Sequence, residues 1–405
     1  MREKNKFNIS PKIIILFTVF LDVLGIGLII PILPYYVESF DVPDIVVTLL
    51  FAVFSLFAFF SAPILGMISD RKGRRPVLLI SLISSAIGWI IFAFSKTIWG
   101  LFLGRIIDGA AAGNISTAQN YLVDISKDDK ERSHNLGLIG AIFGIAFIIG
   151  PLVGGVLSGI SIKMPFIIVG ILATINTILA YFFLPETNHN KNTTDKISLN
   201  PFSPIMKAFK NKKVLPFYLA WLFFGIAVSL NQSIFALYIT KVFSWTVVAS
   251  GFLMTLTGII ISINQAFFLR KVWLKYFKES FLMVYLLVPF ALGYFVMALP
   301  YKFAFMFGLI ITAFGHSTLR VVMNSQIIGF SDKNRQGEMM GILASIMSLS
   351  MIIGPLVGGA VYVVSASLPY VLAGIIISIT FIFVSKTYKN ITPHNHINIE
   401  SVEAI

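Results

Sequence analysis

The chain has 405 residues, of which 57% are hydrophobic and only 12% charged. Soluble domains carry roughly 25% charged residues, so lipid rather than water is the solvent of this chain. Cysteine is absent, which excludes disulfides, thiolate chemistry and cysteine metal sites, and the net charge of +13 is distributed in a way that argues against nucleic acid.

A spanning helix needs about 20 mostly apolar residues. Twelve such stretches occur in order, at 13–36, 45–68, 76–95, 98–123, 134–158, 164–184, 214–240, 248–269, 281–299, 302–329, 338–363 and 368–386. The first reads as a span and not as a cleaved leader, because no small-residue cleavage site follows it. The polar stretch 185–213 carries Pro185, Pro201 and Pro204 and reads as a linker between two six-span halves. The expected division is 1–190, a linker at 191–213, 214–386, and a polar tail at 387–405. His394 and His396 in that tail read as solvated residues, and no metal site is expected.

Basic residues orient the spans. Arg2, Lys4, Lys6 and Lys12 precede span 1, and Arg71, Lys72, Arg74 and Arg75 follow span 2. Lys127, Lys130 and Arg132 follow span 4, and Lys191, Lys196, Lys207, Lys210, Lys212 and Lys213 fill the linker. Arg270, Lys271, Lys275 and Lys278 follow span 8, Lys333 and Arg335 precede span 11, and Lys386 and Lys389 follow span 12. The opposite side holds only Lys96, Lys163, Lys241 and Lys302. This asymmetry predicts a multi-pass protein of the cell membrane with both termini in the cytoplasm, and it explains the basic character without nucleic acid.

The octapeptide Ile-Ile-Gly-Pro-Leu-Val-Gly-Gly occurs twice, at Ile148–Gly155 and Ile352–Gly359, in spans 5 and 11. A long repeat at matching places in two halves is the mark of a duplicated membrane bundle, which in transporters surrounds a midplane site. Glycines at this spacing let helix backbones approach, and proline bends a helix. Gly150, Pro151, Gly154, Gly155, Gly354 and Pro355 are therefore candidate bending positions.

Between spans 2 and 3 stands Gly66-Met-Ile-Ser-Asp70-Arg71-Lys-Gly73-Arg74-Arg75-Pro76. With the glycine-proline pattern of span 5, the run Asp22-Val-Leu-Gly25-Ile-Gly27 of span 1, Gly104-Arg105, and Asn334-Arg335-Gln336-Gly337 before span 11, it resembles the major facilitator superfamily. The chain is most similar to its twelve-helix tetracycline/proton antiporters and drug-exporting relatives. The resemblance implies an all-α membrane protein of two parallel six-helix pseudo-repeats. It also implies that the 66–76 loop is a cytoplasmic gate, in which Asp70 contacts a facing helix end and Arg71 or Arg74 pairs with an acid, Asp124 being the nearest candidate. The simpler alternative makes that loop a charged anchor. The tetracycline exporters have further acids inside spans 3 and 9, where this chain has Gly88 and Phe290; relatives with the same frame export varied lipophilic drugs.

An ionisable group at the bilayer centre costs at least ~2.5–3.5 kcal/mol. Four are evident: Asp22 in span 1, Arg105 and Asp108 in span 4, and Arg320 in span 10. The resemblance makes spans 1, 4, 7 and 10 the cavity walls. A carboxylate in a partly dry cavity can titrate near neutral pH, which makes Asp22 the favoured proton carrier. Arg105 either holds Asp108 charged or exchanges between the two carboxylates; a static pair that packs spans 1 and 4 together is the alternative. His316, Arg320 and Asn324 form a polar stripe at four-residue spacing. Arg320 either meets an anionic solute group, reaches Asp22, or snorkels to the surface. Asn114, Gln119, Asn120, Asn231 and Gln232 are further cavity candidates, and Phe54, Phe57 and Trp221 could stack on a lipophilic solute.

Neither a phosphate-binding loop nor a hydrolase or metalloprotease motif occurs, so no enzyme activity and no cofactor are expected. The expected function is export of lipophilic drug-like solutes in exchange for protons by alternating access. The expected partners are the small-molecule solute, protons and the lipid bilayer, with no nucleic acid, and the chain is expected to act as a monomer. The alternatives are an importer of a small metabolite or organic anion and a non-transporting membrane sensor.

Overall fold

The computed structural model describes residues 10–188, 202, 206, 214–329 and 336–388. The first basic residues of the chain, most of the linker, Asn334-Arg335, and the tail with His394 and His396 lie outside these. The first half comprises α1 (Pro11–Glu38), α2 (Ile45–Lys72), α3 (Arg74–Phe94), α4 (Ile98–Ala110), α5 (Asn114–Asp124), α6 (Asp129–Ser158) and α7 (Met164–Phe183). The second comprises α8 (Leu215–Phe243), α9 (Val247–Ile263), α10 (Glu279–Tyr285), α11 (Leu287–Met297), α12 (Lys302–Gly329), α13 (Gln336–Tyr362) and α14 (Leu368–Tyr388). Among the described residues, 11 helices are long and apolar enough to cross a membrane. The twelfth span is the broken pair α4–α5.

Three spans depart from a simple helix. Span 4, expected to run unbroken over 98–123, opens at Ala111–Gly113, where the Gly113 N–H turns to the Ala111 carbonyl at 2.7 Å and that of Ala112 to the Gly109 carbonyl at 3.2 Å. Ser61 Oγ donates to the Gly109 carbonyl at 2.7 Å, and Ser84 Oγ donates to that of Ile107. Span 8 continues past α9 as a π-helix, Asn264–Trp273, and a final turn, Leu274–Tyr276. Span 9 is divided at Leu286 because Pro289 supplies no N–H for the Tyr285 carbonyl.

Both halves use the same contacts. Spans 1 and 7 (α1 and α8) each pack on the fifth and sixth helices of their own half. Tyr36 closes the end of span 3 by donating to the Phe92 carbonyl at 3.0 Å; Tyr238 donates to the Ala298 carbonyl at the end of span 9, at 3.3 Å. Gly88 meets Gly104 where α3 crosses α4, and Gly293 meets Gly308 where α11 crosses α12. A Cβ at Gly104 or Gly308 would sit 2.8 or 2.6 Å from the facing carbonyl, so only glycine allows either crossing.

The octapeptide has two faces, and this accounts for its glycines. On α6, a Cβ at Gly150 would sit 2.9 Å from the Leu24 carbonyl of α1, while one at Gly155 would sit 3.3 Å from Gly251 of α9 in the other half. On α13, a Cβ at Gly354 would sit 2.9 Å from the Ile226 carbonyl of α8, while Gly359 faces Thr48 of α2. Each copy thus binds its own half with one face and the opposite half with the other. Both helices run through Pro151 and Pro355 without interruption.

The seams between the halves taper. At the end far from the termini, Gly155 meets Gly251, Tyr35 Oη donates to the Trp245 carbonyl at 2.7 Å, and Lys241 lies 3.3 Å from Asp44. Towards the terminal end, Gly144 still has Ser262 nearby, whereas Gly140, Gly137, Gly66 and Gly341 face open space among the described residues.

Candidate functional site

The break in span 4 positions the polar centre of the first half. α5 begins at Asn114, which donates from Nδ2 to Asp22 Oδ1 at 3.0 Å; the amide oxygen of Asn114 has no partner. Asp22 is half-buried in the middle of α1. The last turns of α4 carry the second carboxylate. Asp108 is buried, accepts from Ser85 Oγ at 2.6 Å through Oδ1, and lies 3.8 Å from Arg105 Nη1 through Oδ2. The Arg105 guanidinium sits over Trp89, Phe92 and Phe54 at 4.7, 4.9 and 5.4 Å. Desolvated contacts of this kind are worth about 2 kcal/mol. They offset part of the cost of burying a cation whose Nε has no hydrogen-bond partner.

Neither the rings around Arg105 nor Ser85 was anticipated from the sequence. The signal was present: Ser81, Ser85 and Trp89 recur every four residues on the face of α3 that meets α4. Phe54, one of the rings expected as a solute platform, lies against Arg105. Trp221 donates from Nε1 to the Leu343 carbonyl at 3.0 Å. A Cβ at Gly88 would fall 2.9 Å from that of Asp108, so an acidic side chain at this position does not fit this packing. Gly293 holds the corresponding place of the second half, and Phe290, three residues earlier, lies against Gly315 and the ring of Phe224.

On the second wall, His316 lies against Phe224, with ring centroids 5.6 Å apart, and Arg320 and Asn324 follow on the same stripe. Asn231 on α8 is half-buried, and its Oδ1 has no partner; the same holds for Asn324. Gln232 and Asn120 are half-buried and Gln119 is exposed.

The 66–76 loop forms a cluster at the terminal end. Arg74 Nε donates to Asp124 at 2.9 Å, and its Nη1 bonds both Asp70 and Ser69. Arg74, and not Arg71, therefore makes the pair with Asp124, and Asp70 contacts Arg74 instead of a facing helix end. Gly73 has φ +117, a conformation suited to glycine. Into the space left by its missing side chain comes Glu186, a residue the sequence did not single out. Its carboxylate accepts from the backbone N–H groups of Arg74 at 2.8 Å and Arg75 at 3.1 Å, satisfying two donors at the start of α3. Arg75 in turn donates to the Tyr181 carbonyl at 2.7 Å. Thr187 donates to Asp124 at 3.2 Å and Asn188 to the Asp70 carbonyl at 2.7 Å, so the root of the linker is fastened to the loop.

Two similar helical bundles that meet along paired seams, with carboxylates held inside the first, have the architecture of a membrane carrier. The family model described as Major Facilitator Superfamily matches residues 15–301 and 266–404, and the chain belongs to that family. It is 31% identical over 363 residues to a tetracycline resistance protein, class C, of Escherichia coli, covering 88% of this chain and 90% of the relative. It is 26% identical to multidrug resistance protein 2 of Bacillus subtilis (strain 168), covering 93% and 96%. The crystal structure of the human organic anion transporter MFSD10 (TETRAN) has the same fold, with a TM-score of 0.70 at 20% identity and coverage of 92% and 98%. The chain is accordingly a multi-pass transporter, not an enzyme or a sensor.

Proposed function

We propose that this protein exports lipophilic drug-like solutes across the cell membrane in exchange for protons, as a monomer with both termini in the cytoplasm. Asp22 carries the proton, and Arg105 and Asp108 tune it. Residues 1–190 rock against 214–386, and the seams that taper toward the terminal end support a conformation open on the cytoplasmic side. The cluster of Gly66, Asp70, Arg71, Gly73, Arg74, Arg75 and Asp124 gates that mouth. Among the described residues its ion pairs all lie within the first half, so they hold the loop in shape while the halves move. Solute contacts come from Asn114, Gln119, Asn231, Gln232, His316, Arg320 and Asn324.

The observation that carries this reading is the Asp22 carboxylate. It is half-buried in the middle of α1, held by one amide, and set in a chain similar to tetracycline and multidrug resistance proteins. The test is Asp22→Asn in sealed vesicles. We expect loss of solute flux driven by a proton gradient, with solute–solute exchange retained; undiminished gradient-driven flux removes the role of Asp22.

A further inference from the structure

The π-helix Asn264–Trp273 and the turn after it bear Arg270, Lys271 and Lys275, and Lys278 precedes α10. From 264 to 278 the sequence holds these four cations and no acid. All four are exposed, and among the described residues none makes an ion pair. Lys271 and Lys275 lie over rings, Phe267 at 5.9 Å and Tyr276 at 5.4 Å, which leave their charge uncompensated. Glu279, the next acid along the chain, accepts from Ser325 Oγ and Gln326 Nε2, both at 2.9 Å. The first half handles its cations differently. Arg74 meets Asp70 and Asp124, and Lys127, Lys130 and Arg132 alternate in sequence with Asp128 and Glu131. Either pattern satisfies the orienting bias of basic residues. Only the patch at 270–278 leaves its charge for an anion from outside the chain.

A row of rings runs inward from this patch. Phe277, Phe281 and Tyr285 recur every four residues and lie against one another, with centroids 5.6 and 4.4 Å apart. Trp273 precedes the row at 6.3 Å, and Phe381 of α14 ends it at 6.4 Å. Phe277, Phe281 and Tyr285 are 40, 44 and 54% exposed. The row lies where α10 packs on α14, and α14 turns Ile375, Ile379 and Ile382 outward beside it. Lys386 is exposed on the same helix, about 7.5 Å beyond Phe381 towards the terminal end, where α10 begins. A rim of cations thus caps an open apolar face.

From this juxtaposition we propose that the face is a docking site for one anionic phospholipid. Its phosphate seats on Lys275, Lys278 and Lys386, and one acyl chain lies along Phe277, Phe281 and Tyr285. Clustered lysines at a bilayer surface attract acidic headgroups, and rigid rings offer an acyl chain a large apolar contact. A zwitterionic lipid gains the apolar contact without the net charge, and free phosphate gains the charge without the apolar contact. Only an acidic lipid gains both. The site lies on the outside of the second half, so it is independent of the solute, of the proton carrier and of the direction of transport.

Native mass spectrometry of the full chain, titrated with lipid in detergent, provides the test. The probes are dioleoyl phosphatidylglycerol, dioleoyl phosphatidylcholine and inorganic phosphate. Each lysine beside an acidic headgroup corresponds to about fivefold in affinity. The combined variant Lys275→Gln, Lys278→Gln and Lys386→Gln should therefore lose on the order of 100-fold in phosphatidylglycerol affinity. It should hold phosphatidylcholine as the wild type does, which shows that it is folded. Lys127→Gln, Lys130→Gln and Arg132→Gln together remove the same charge elsewhere and should leave phosphatidylglycerol bound. Phe281→Ala should weaken phosphatidylglycerol several-fold. Equal phosphatidylglycerol affinity in the two triple variants overturns the proposal, as does a wild type that holds both lipids alike. Displacement of the lipid by inorganic phosphate, or indifference to Phe281→Ala, reveals a bare anion patch and overturns it too. If the triple glutamine variant holds neither lipid, the triple arginine variant at the same positions decides: phosphatidylglycerol bound supports the proposal, and its loss overturns it.

Discussion

Replacing Gly251 by valine should hold the far end of the molecule open. A Cβ at Gly251 would lie 2.5 Å from the Pro151 carbonyl and 3.0 Å from the Gly155 backbone, whereas ordinary contact begins at 3.4 Å. The first β-carbon alone forces spans 5 and 8 apart by about 0.9 Å, the difference between 3.4 and 2.5 Å, and the methyl groups demand more. Overpacking of this kind costs about 1–3 kcal/mol. The penalty falls only on the conformation in which the seam is shut, so the population with an open far end should rise about 5- to 150-fold. Because the chain contains no cysteine, a single Thr48→Cys reporter at the other seam, where Thr48 is buried against Gly359, gives a clean signal. Labelling by a membrane-impermeant maleimide from outside should accelerate by that factor. The same substitution at Gly140, which faces open space, should not accelerate it. Folded Gly251→Val protein whose Thr48→Cys labels at the parental rate would refute both the packing argument and the rocking motion.

Ser85→Ala should destabilise the first half by about 1.5–3 kcal/mol, because the buried Asp108 loses a charged hydrogen bond; thermal unfolding in detergent checks this, and Ser85→Thr should restore most of it. Gly73→Ala should cost about 1–3 kcal/mol for its positive φ, plus a clash with the Glu186 carboxylate. Glu186→Ala removes that clash, so the double variant should be more stable than the sum of the singles requires, whereas strict additivity in a double-mutant cycle would separate Glu186 from the turn. Arg74→Ala should release Asp70 and Asp124 together and raise the solvent exchange of the α3 amides, with a smaller effect from Arg71→Ala, which amide exchange measured by mass spectrometry will show.

The spans were legible because the bilayer fixes their length and composition, and the duplication was legible in one octapeptide. The rest of the repeat was not. Tyr36 with Tyr238 and Gly88–Gly104 with Gly293–Gly308 share contacts across three or more turns of chain, with no common local word to mark them. The break at Ala111–Gly113 was hidden for a similar reason: the apolar run continues through it, and the serines that bond the last turn of α4 lie on neighbouring helices. The charges of the site stood out because they are rare in apolar sequence. Their partners, Asn114 for Asp22 and Ser85 and Trp89 around the Arg105–Asp108 pair, depend on how helices cross. Glu186 escaped notice because a lone acid after a span looks like any surface charge until the turn at Gly73 gives it a cradle.

Neighbouring positions of the octapeptide answer to different masters. Gly154 is pressed against Leu28 and Ile32 of its own bundle, a contact internal to that half, so a larger residue there lowers the amount of folded protein in the cell. Gly155, one residue further, meets only the opposite bundle, so a larger residue there changes how quickly the cycle turns over and leaves abundance intact. Evolutionary drift at 155 and 359 can thus adjust the pace of the carrier without endangering its assembly.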